Sequence, residues 1–315
     1  MGVSDILKIF SERPYTLRMG NRRLASWLKC EEADVREARS IYRAGESKWP
    51  NIRERRESGR FPKVLILDIE TSPMLAYVYG LWRQNIAWNH VEKNWYVICW
   101  SAKWLYEGDI MSDCVTGDEA LREDDSRILK GMWRLLDEAD IVVAHNALGA
   151  DLPWLNTRFL MNGFNPPKPY HVIDTLKVVR RQFGFASNKL DALCGYLGIP
   201  HKDPTNFDLW RKCISGDEGA LAYMVKYNKQ DVRILEDLYI ALLPWIPGHP
   251  NMGNIMSDNI CTMCGNGDLE ELQGRYYYTG VGKYKLYRCT HCGGVVRGRE
   301  NLNKDFKVNF MNINR

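Results

Sequence analysis

The chain has 315 residues, 45% hydrophobic and 26% charged, with a formal net charge of +4. That composition excludes a disordered or fibrous chain and allows one large core plus one or two small modules. No apolar run reaches the roughly eighteen residues of a membrane span, and the opening MGVSDILKIF lacks a signal peptide's basic and apolar regions. A cytoplasmic protein with no membrane partner is expected.

Charge is placed unevenly. Residues 11–60 carry 13 Lys/Arg against 8 Asp/Glu, residues 61–270 carry 20 against 27, and residues 271–300 carry 6 against 2. An acidic centre between basic arms suits a metal-dependent enzyme acting on a polyanion, because carboxylates hold the cation and the arms attract phosphate. Ordinary scatter of surface charge is the alternative.

Three segments follow one another. In residues 1–60, NRRLASWLKC and EADVREARSIYR read as two short amphipathic helices. The second places Val35, Ala38, Ile41 and Tyr42 on one face and Arg36, Arg39 and Arg43 on the other. The pair suits a small helix-turn-helix-like module or two helices packed on a larger domain. NIRERRESGR reads as a charged linker or helix.

Residues 61–247 form the main domain. KVLILDIET, AYVYGLW and NWYVICWSAKW predict three consecutive strands, rich in β-branched and aromatic residues. A charged helical stretch follows from Asp118 to Glu138, then a short strand in DIVVAHN, and the chain from Asp151 onward reads as mostly helical. The fold class expected is α/β, a mixed sheet flanked by helices. The third segment, residues 248–315, is entered through PGHPNMGN at residues 247–254, a helix stop and linker.

In strand geometry Asp68 and Glu70 of DIET project to one face. Two like charges that close are costly unless solvent or a cation reaches them, and Mg2+ and Mn2+ favour such oxygen ligands. Alone, the pair could equally mark a strand ending at water. Asp151 begins a helical stretch after a loop with His145 and Asn146. Tyr227 and Asp231, four apart, share a helical face.

DIET, HNALGADLPWL and YNKQD, in this order, resemble the three exonuclease motifs of the DEDD superfamily, in its tyrosine branch. They are most similar to family B polymerase-like exonucleases, many of them phage-encoded, for which the location would be the host cytoplasm. The resemblance spans residues 63 to about 245. It implies a ribonuclease H-like fold and 3′–5′ exonuclease activity using two Mg2+ or Mn2+ ions. It also assigns the metal carboxylates to Asp68, Glu70, Asp151 and Asp231, and the residue orienting the attacking water to Tyr227. Ala150 stands where this branch usually has an aromatic residue before its aspartate, so one packing contact of the family is not expected here. Two cations about 3.5–4 Å apart would stabilise both the attacking and the leaving oxygen.

DNA, single-stranded or frayed at its 3′ end, is the expected substrate. A ribonuclease, a structure-specific endonuclease and a non-catalytic nucleic-acid-binding adaptor are the alternatives. A proofreading role would need a separate replication or repair protein as partner. Asn146 is a candidate substrate contact or a holder of its own loop. Asp174 in HVIDTLKVV and the stretch SNKLDAL also resemble the family, as support or as helix packing. Lys177, Arg180 and Arg181 suit phosphate contact or a solvated helix face.

Cys261, Cys264, Cys289 and Cys292 form C-x2-C-x24-C-x2-C, with Gly265 and Gly293 after each pair. Two thiolates from each knuckle fit one tetrahedral Zn2+, and four cysteines leave no open position, so a structural zinc ribbon is expected. Between the pairs, GRYYYTGVGKYKLYRC interleaves cations with tyrosines. That pattern suits nucleic-acid binding, or a small tyrosine core whose cations offset the thiolates.

Overall fold

The structure, a computed structural model, describes residues 1–12, 21–45, 61–199 and 205–304. It divides into two compact units, Lys63–Ile240 and a discontinuous one made of Met1–Pro62 with Ala241–Arg315.

The N-terminal part holds helices α1 (Val3–Glu12), α2 (Asn21–Leu28) and α3 (Glu32–Gly45). The sequence predicts the second and third; α1 is an addition, formed because Ile6 and Phe10, four residues apart, close one apolar face. They are fully buried with Leu24, Ala25, Val35 and Ala38. Lys29 takes a left-handed φ of 54°, and the Cys30 N–H donates back to Ala25 O at 3.0 Å, ending α2 and turning the chain into α3. The side chains of Arg39, Ile41, Tyr42 and Arg43, and the charged stretch 51–60, lie outside the described residues.

In the central unit the order is β1 (Val64–Thr71), β2 (Leu75–Ala76), β3 (Val91–Lys93), β4 (Val97–Trp104), β5 (Met111–Cys114), α4 (Gly117–Arg122), α5 (Ser126–Glu138), β6 (Ile141–Ala144), α6 (Asp151–Met161), β7 (His171–Asp174), α7 (Thr175–Gln182), α8 (Leu190–Leu197), α9 (Phe207–Ile214) and α10 (Glu218–Leu242). Five strands form one mixed sheet in the order β5-β4-β1-β6-β7. β1 lies in its middle, antiparallel to β4 and parallel to β6. That position explains the unbroken run Val64–Leu67, because a strand with neighbours on both edges and helices over its faces has no side left for water.

Helix α5 packs on β4 through Ile128, Leu129, Met132 and Leu136, all fully buried at helical spacing. The Trp100 indole donates to Ile128 O at 2.8 Å, and its ring fills the space a side chain at Gly131 would need, 2.8 Å from a Cβ placed there. Arg158 of α6 grips the fully buried Asp125 with two bonds of 2.7 Å, and Asp125 also accepts the Val97 N–H at 2.9 Å. This forked pair joins the starts of β4 and α5 to α6.

The mixed sheet with flanking helices is the fold class expected, with local differences. AYVYGLW does not form a sheet strand. Only Leu75–Ala76 pair, with β3, in a separate two-stranded ribbon, and Tyr77 to Trp82 lie mostly in water. Alternating aromatics make a strand only where a partner edge and a core exist to receive them. The stretch Asp118–Glu138 is two helices, not one, because Glu123 adopts a left-handed φ of 59° that stops α4. A capping box between Thr116 and Glu119 starts α4. Strands β5 and β7 are additional; each is only four residues long.

The C-terminal part holds α11 (Met252–Met256), β8 (Leu269–Tyr278), β9 (Lys283–Cys289) and β10 (Val295–Arg297), the strands antiparallel in the order β10-β9-β8. The expected linker PGHPNMGN thus contains a one-turn helix, capped by the Asn251 side chain accepting from Gly253 and Asn254.

Candidate active site

Strand β1 loses its cover at its C-terminal end. Val64–Leu67 are buried, and then Asp68 and Glu70 emerge half-buried on one face, with Ile69 buried on the other. Asp231 of α10, buried, arrives opposite them, and carboxylate oxygens of Asp68, Glu70 and Asp231 lie within 4.8 Å of one another. Helix spacing places Asn228 one turn before Asp231. Asn228 is fully buried and its Nδ2 donates to Asp68 Oδ2 at 2.6 Å. Sequence reasoning misses this amide, although it sits inside YNKQD. The charge it offsets lies 160 residues away.

Asp151 opens α6 and is buried. Its carboxylate lies by the Ile69 N–H, on the stretch of β1 beyond the last residue paired with β6, Ile66. Burial, with the Asp174 charge adding to it, pushes the Asp151 carboxyl up to about 7, against the pull of the Ile69 and Asp151 N–H groups. Its oxygens do not join the three-carboxylate cluster within 4.8 Å. Tyr227 is buried on α10, one turn before Asp231, with its ring edge against Trp210 at 6.5 Å.

The turn that delivers Asp151 has its own anchor. Asp174 accepts N–H groups of Asn146 (3.1 Å) and Leu148 (3.2 Å) while capping α7 through Leu176 (3.0 Å) and Lys177 (3.2 Å). It is therefore a structural support for the 145–150 turn. His145 braces the same turn, with Nδ1 2.9 Å from Thr175 Oγ1 and Nε2 3.0 Å from Asn188 O. Asn146 has a left-handed φ of 73°, and its amide lies over Gly149, 2.5 Å from where a Cβ would stand. Its side chain folds onto its own loop. Lys177, Arg180 and Arg181 lie on the solvated face of α7.

Residues 105–243 match the family model described as RNase_H superfamily. That match marks the segment as ribonuclease H-like. It includes Asp151, Tyr227 and Asp231, whereas Asp68 and Glu70 lie before the matched residues on the central strand of the same sheet. Among solved structures, the chain is similar to the family B DNA polymerase from the hyperthermophilic archaeon Pyrobaculum calidifontis, at 15% identity and a TM-score of 0.41. The similarity covers 72% of this chain and 33% of the polymerase, so this chain spans about a third of that polymerase's length. A comparison with curated proteins gives no match.

The donor set of the ribonuclease H-like unit is all oxygen, which fits a hard divalent cation. Three carboxylates that close repel one another in proportion to 1/r, and one amide offsets only part of that, so the cluster suits a cation between its oxygens.

The C-terminal cluster is different in kind. All four cysteines are buried, with Cys261 Sγ 3.6 Å from Cys292 Sγ and Cys264 Sγ 3.6 Å from Cys289 Sγ. A disulfide needs about 2.05 Å. Four sulfurs around one tetrahedral ion at about 2.3 Å are separated by about 3.8 Å, close to what is observed. Gly265 and Gly293 take φ of 74° and 70°, and their N–H groups return to Cys261 O (2.9 Å) and Cys289 O (2.8 Å), closing two matching knuckles. The set fits a zinc ribbon. Its tyrosines and cations engage one another: Lys283 lies 3.9 Å above the Tyr276 ring, Arg297 4.5 Å from the Tyr284 ring, and Lys285 pairs with Glu271 at 2.9 Å.

Proposed function

We propose that the central unit is a divalent-metal-dependent 3′–5′ exonuclease acting on DNA, on single strands or frayed 3′ ends. The observation supporting this most is the convergence of Asp68, Glu70 and Asp231 at the end of the central strand of a ribonuclease H-like sheet. Asp68, Glu70 and Asp231, with Asp151 beside them, would hold two Mg2+ or Mn2+ ions, while Cys261, Cys264, Cys289 and Cys292 would hold one structural Zn2+. Bound divalent cations would neutralise the scissile phosphate and lower the pKa of an attacking water.

The chain's own groups have separable tasks. Asn228 fixes one oxygen of Asp68, so the other is presented in a set direction. Asp151, with the Ile69 N–H beside it, would add a fourth carboxylate once a cation favours its charged form. The Tyr227 phenol, able to donate and accept hydrogen bonds, would orient the water for in-line attack.

Asp68→Asn tests the reading. It should lower cleavage by at least about two orders of magnitude, as loss of a group stabilising transition-state charge does, with an unchanged circular dichroism spectrum. Time courses on 3′- and 5′-labelled DNA and RNA, with and without chelator, read direction and substrate. A variant cleaving at the wild-type rate in Mg2+ or Mn2+ would falsify the assignment, and robust cutting of a closed circle would replace the exonuclease with an endonuclease.

A further inference from the structure

The segment between β1 and β4 has no place in the chemistry above, and it exposes several large aromatic rings. It leaves the sheet at Ser72, two residues after Glu70, and returns at Tyr96. The two ends are tied by the Ser72 N–H donating to Tyr96 O and the Tyr96 N–H donating to Ser72 Oγ, both at 2.9 Å. Between them, β2 and β3 form the ribbon's stem, extended by the Tyr77 N–H donating to His90 O at 2.9 Å. Beyond the stem, Tyr79 is 98% exposed, Trp82 87% and Trp88 88%. Indoles this exposed are uncommon on a protein surface, and contiguous apolar exposure usually marks a binding surface.

We propose that this ribbon is a stacking platform for single-stranded nucleic acid, with Trp82 and Trp88 as its principal faces and Arg83 between them as a phosphate contact. The inference rests on the nuclease reading of the adjacent carboxylates. Three observations favour this occupant. The ribbon grows from the sheet end that carries Asp68 and Glu70, so a strand lying along it is led to the carboxylates. Its charge is opposite to that of its surroundings: residues 73–94 contain Arg83 and Lys93 against the single carboxylate Glu92, whereas residues 61–270 carry more acids than bases. Its exposed tip alternates flat rings with the amides of Gln84, Asn85 and Asn89, the mixture that stacks bases and contacts their edges and backbone. The tyrosines of the C-terminal strands, in contrast, carry cations of their own module on their faces.

The test uses the full chain with a fluorescein-labelled oligothymidylate, read by anisotropy without added Mg2+ or Mn2+ so that no turnover intervenes. The double variant Trp82→Ala with Trp88→Ala should bind at least about tenfold more weakly, and Trp82→Phe with Trp88→Phe should keep affinity within about threefold, because stacking needs a ring and not an indole. Both variants should melt with wild type, since these side chains contribute nothing to a core. Affinity of the double alanine variant within twofold of wild type, or no binding by wild type, overturns the platform. So does unchanged affinity accompanied by loss of self-association, which would assign the ribbon to a second copy of the chain. A wild-type protein that binds through the ribbon but cleaves nothing leaves the platform standing and sinks the nuclease reading.

Discussion

The four-cysteine cluster and the three-carboxylate cluster are two answers to gathering negative ligands in one place. The cysteines lie in two local knuckles, fully covered, with glycine N–H groups closing each turn, and no ligand position faces solvent. The carboxylates come from a strand end and a distant helix, two of the three half-exposed. A closed soft-ligand site fits a folding role, whereas an open hard-ligand site fits chemistry on something that arrives from outside.

The contrast has consequences that can be broken one at a time. The largest effect belongs to the closed site. Cys264→Ser, or extraction of the metal by a strong chelator, should unfold the strands around residues 261–297, removing on the order of 10 kcal/mol of metal-binding free energy from that module. Near-ultraviolet circular dichroism of its tyrosines and limited proteolysis would report the loss. Retention of both signals would put the module's stability in its small core.

The open site should behave in the opposite sense, because gathering its carboxylates costs stability. In metal-free protein, the Asp151 carboxyl at about 7 binds a proton that the unfolded chain, near 3.9, has already released. The native state thus holds more protons between about pH 4 and about pH 7, and stability falls as pH rises through that window. The shift is worth at most about 4 kcal/mol. Asp151→Asn should flatten the dependence and raise the melting temperature above neutrality. Denaturant titrations across pH decide it, and a profile identical to wild type would remove Asp151 from the electrostatic account.

The smallest effect concerns the buried amide. Asn228→Ala should weaken Mn2+ binding by about 10- to 100-fold, the usual consequence of losing a partner that orients a ligand carboxylate. Calorimetric titration measures it without turnover. Unchanged affinity would show that Asp68 is held well enough by β1 itself.

Legibility in the sequence follows the range over which each feature is determined. C-x2-C knuckles and the DIET alternation are local, and both are readable in number and face. Asn228 and Asp174 are not, because their meaning lies in partners: Asn228 is one more residue in a helix until α10 brings it to Asp68, and Asp174 becomes an anchor only when β6 and β7 pair and put the 145–150 turn above it. AYVYGLW shows the converse failure. Its alternation has the right period for a strand, yet the sheet already has β4 and β6 on the two edges of β1, so the segment is left outside to form its own ribbon. β7 escapes notice because only four residues pair, the first of them an exposed histidine.

The distance along the chain between Asp68 and the α10 residues that complete its surroundings bears on synthesis. Asp68 and Asn228 are 160 residues apart. At about 5–20 residues per second, a growing chain displays the DIET pair for roughly ten seconds or more before Asp231 exists. Under the nuclease reading, a ribosome-bound fragment carries two of the three clustered carboxylates and cannot assemble the third. The order of the motifs thus delays assembly of the carboxylate cluster until α10 has been made.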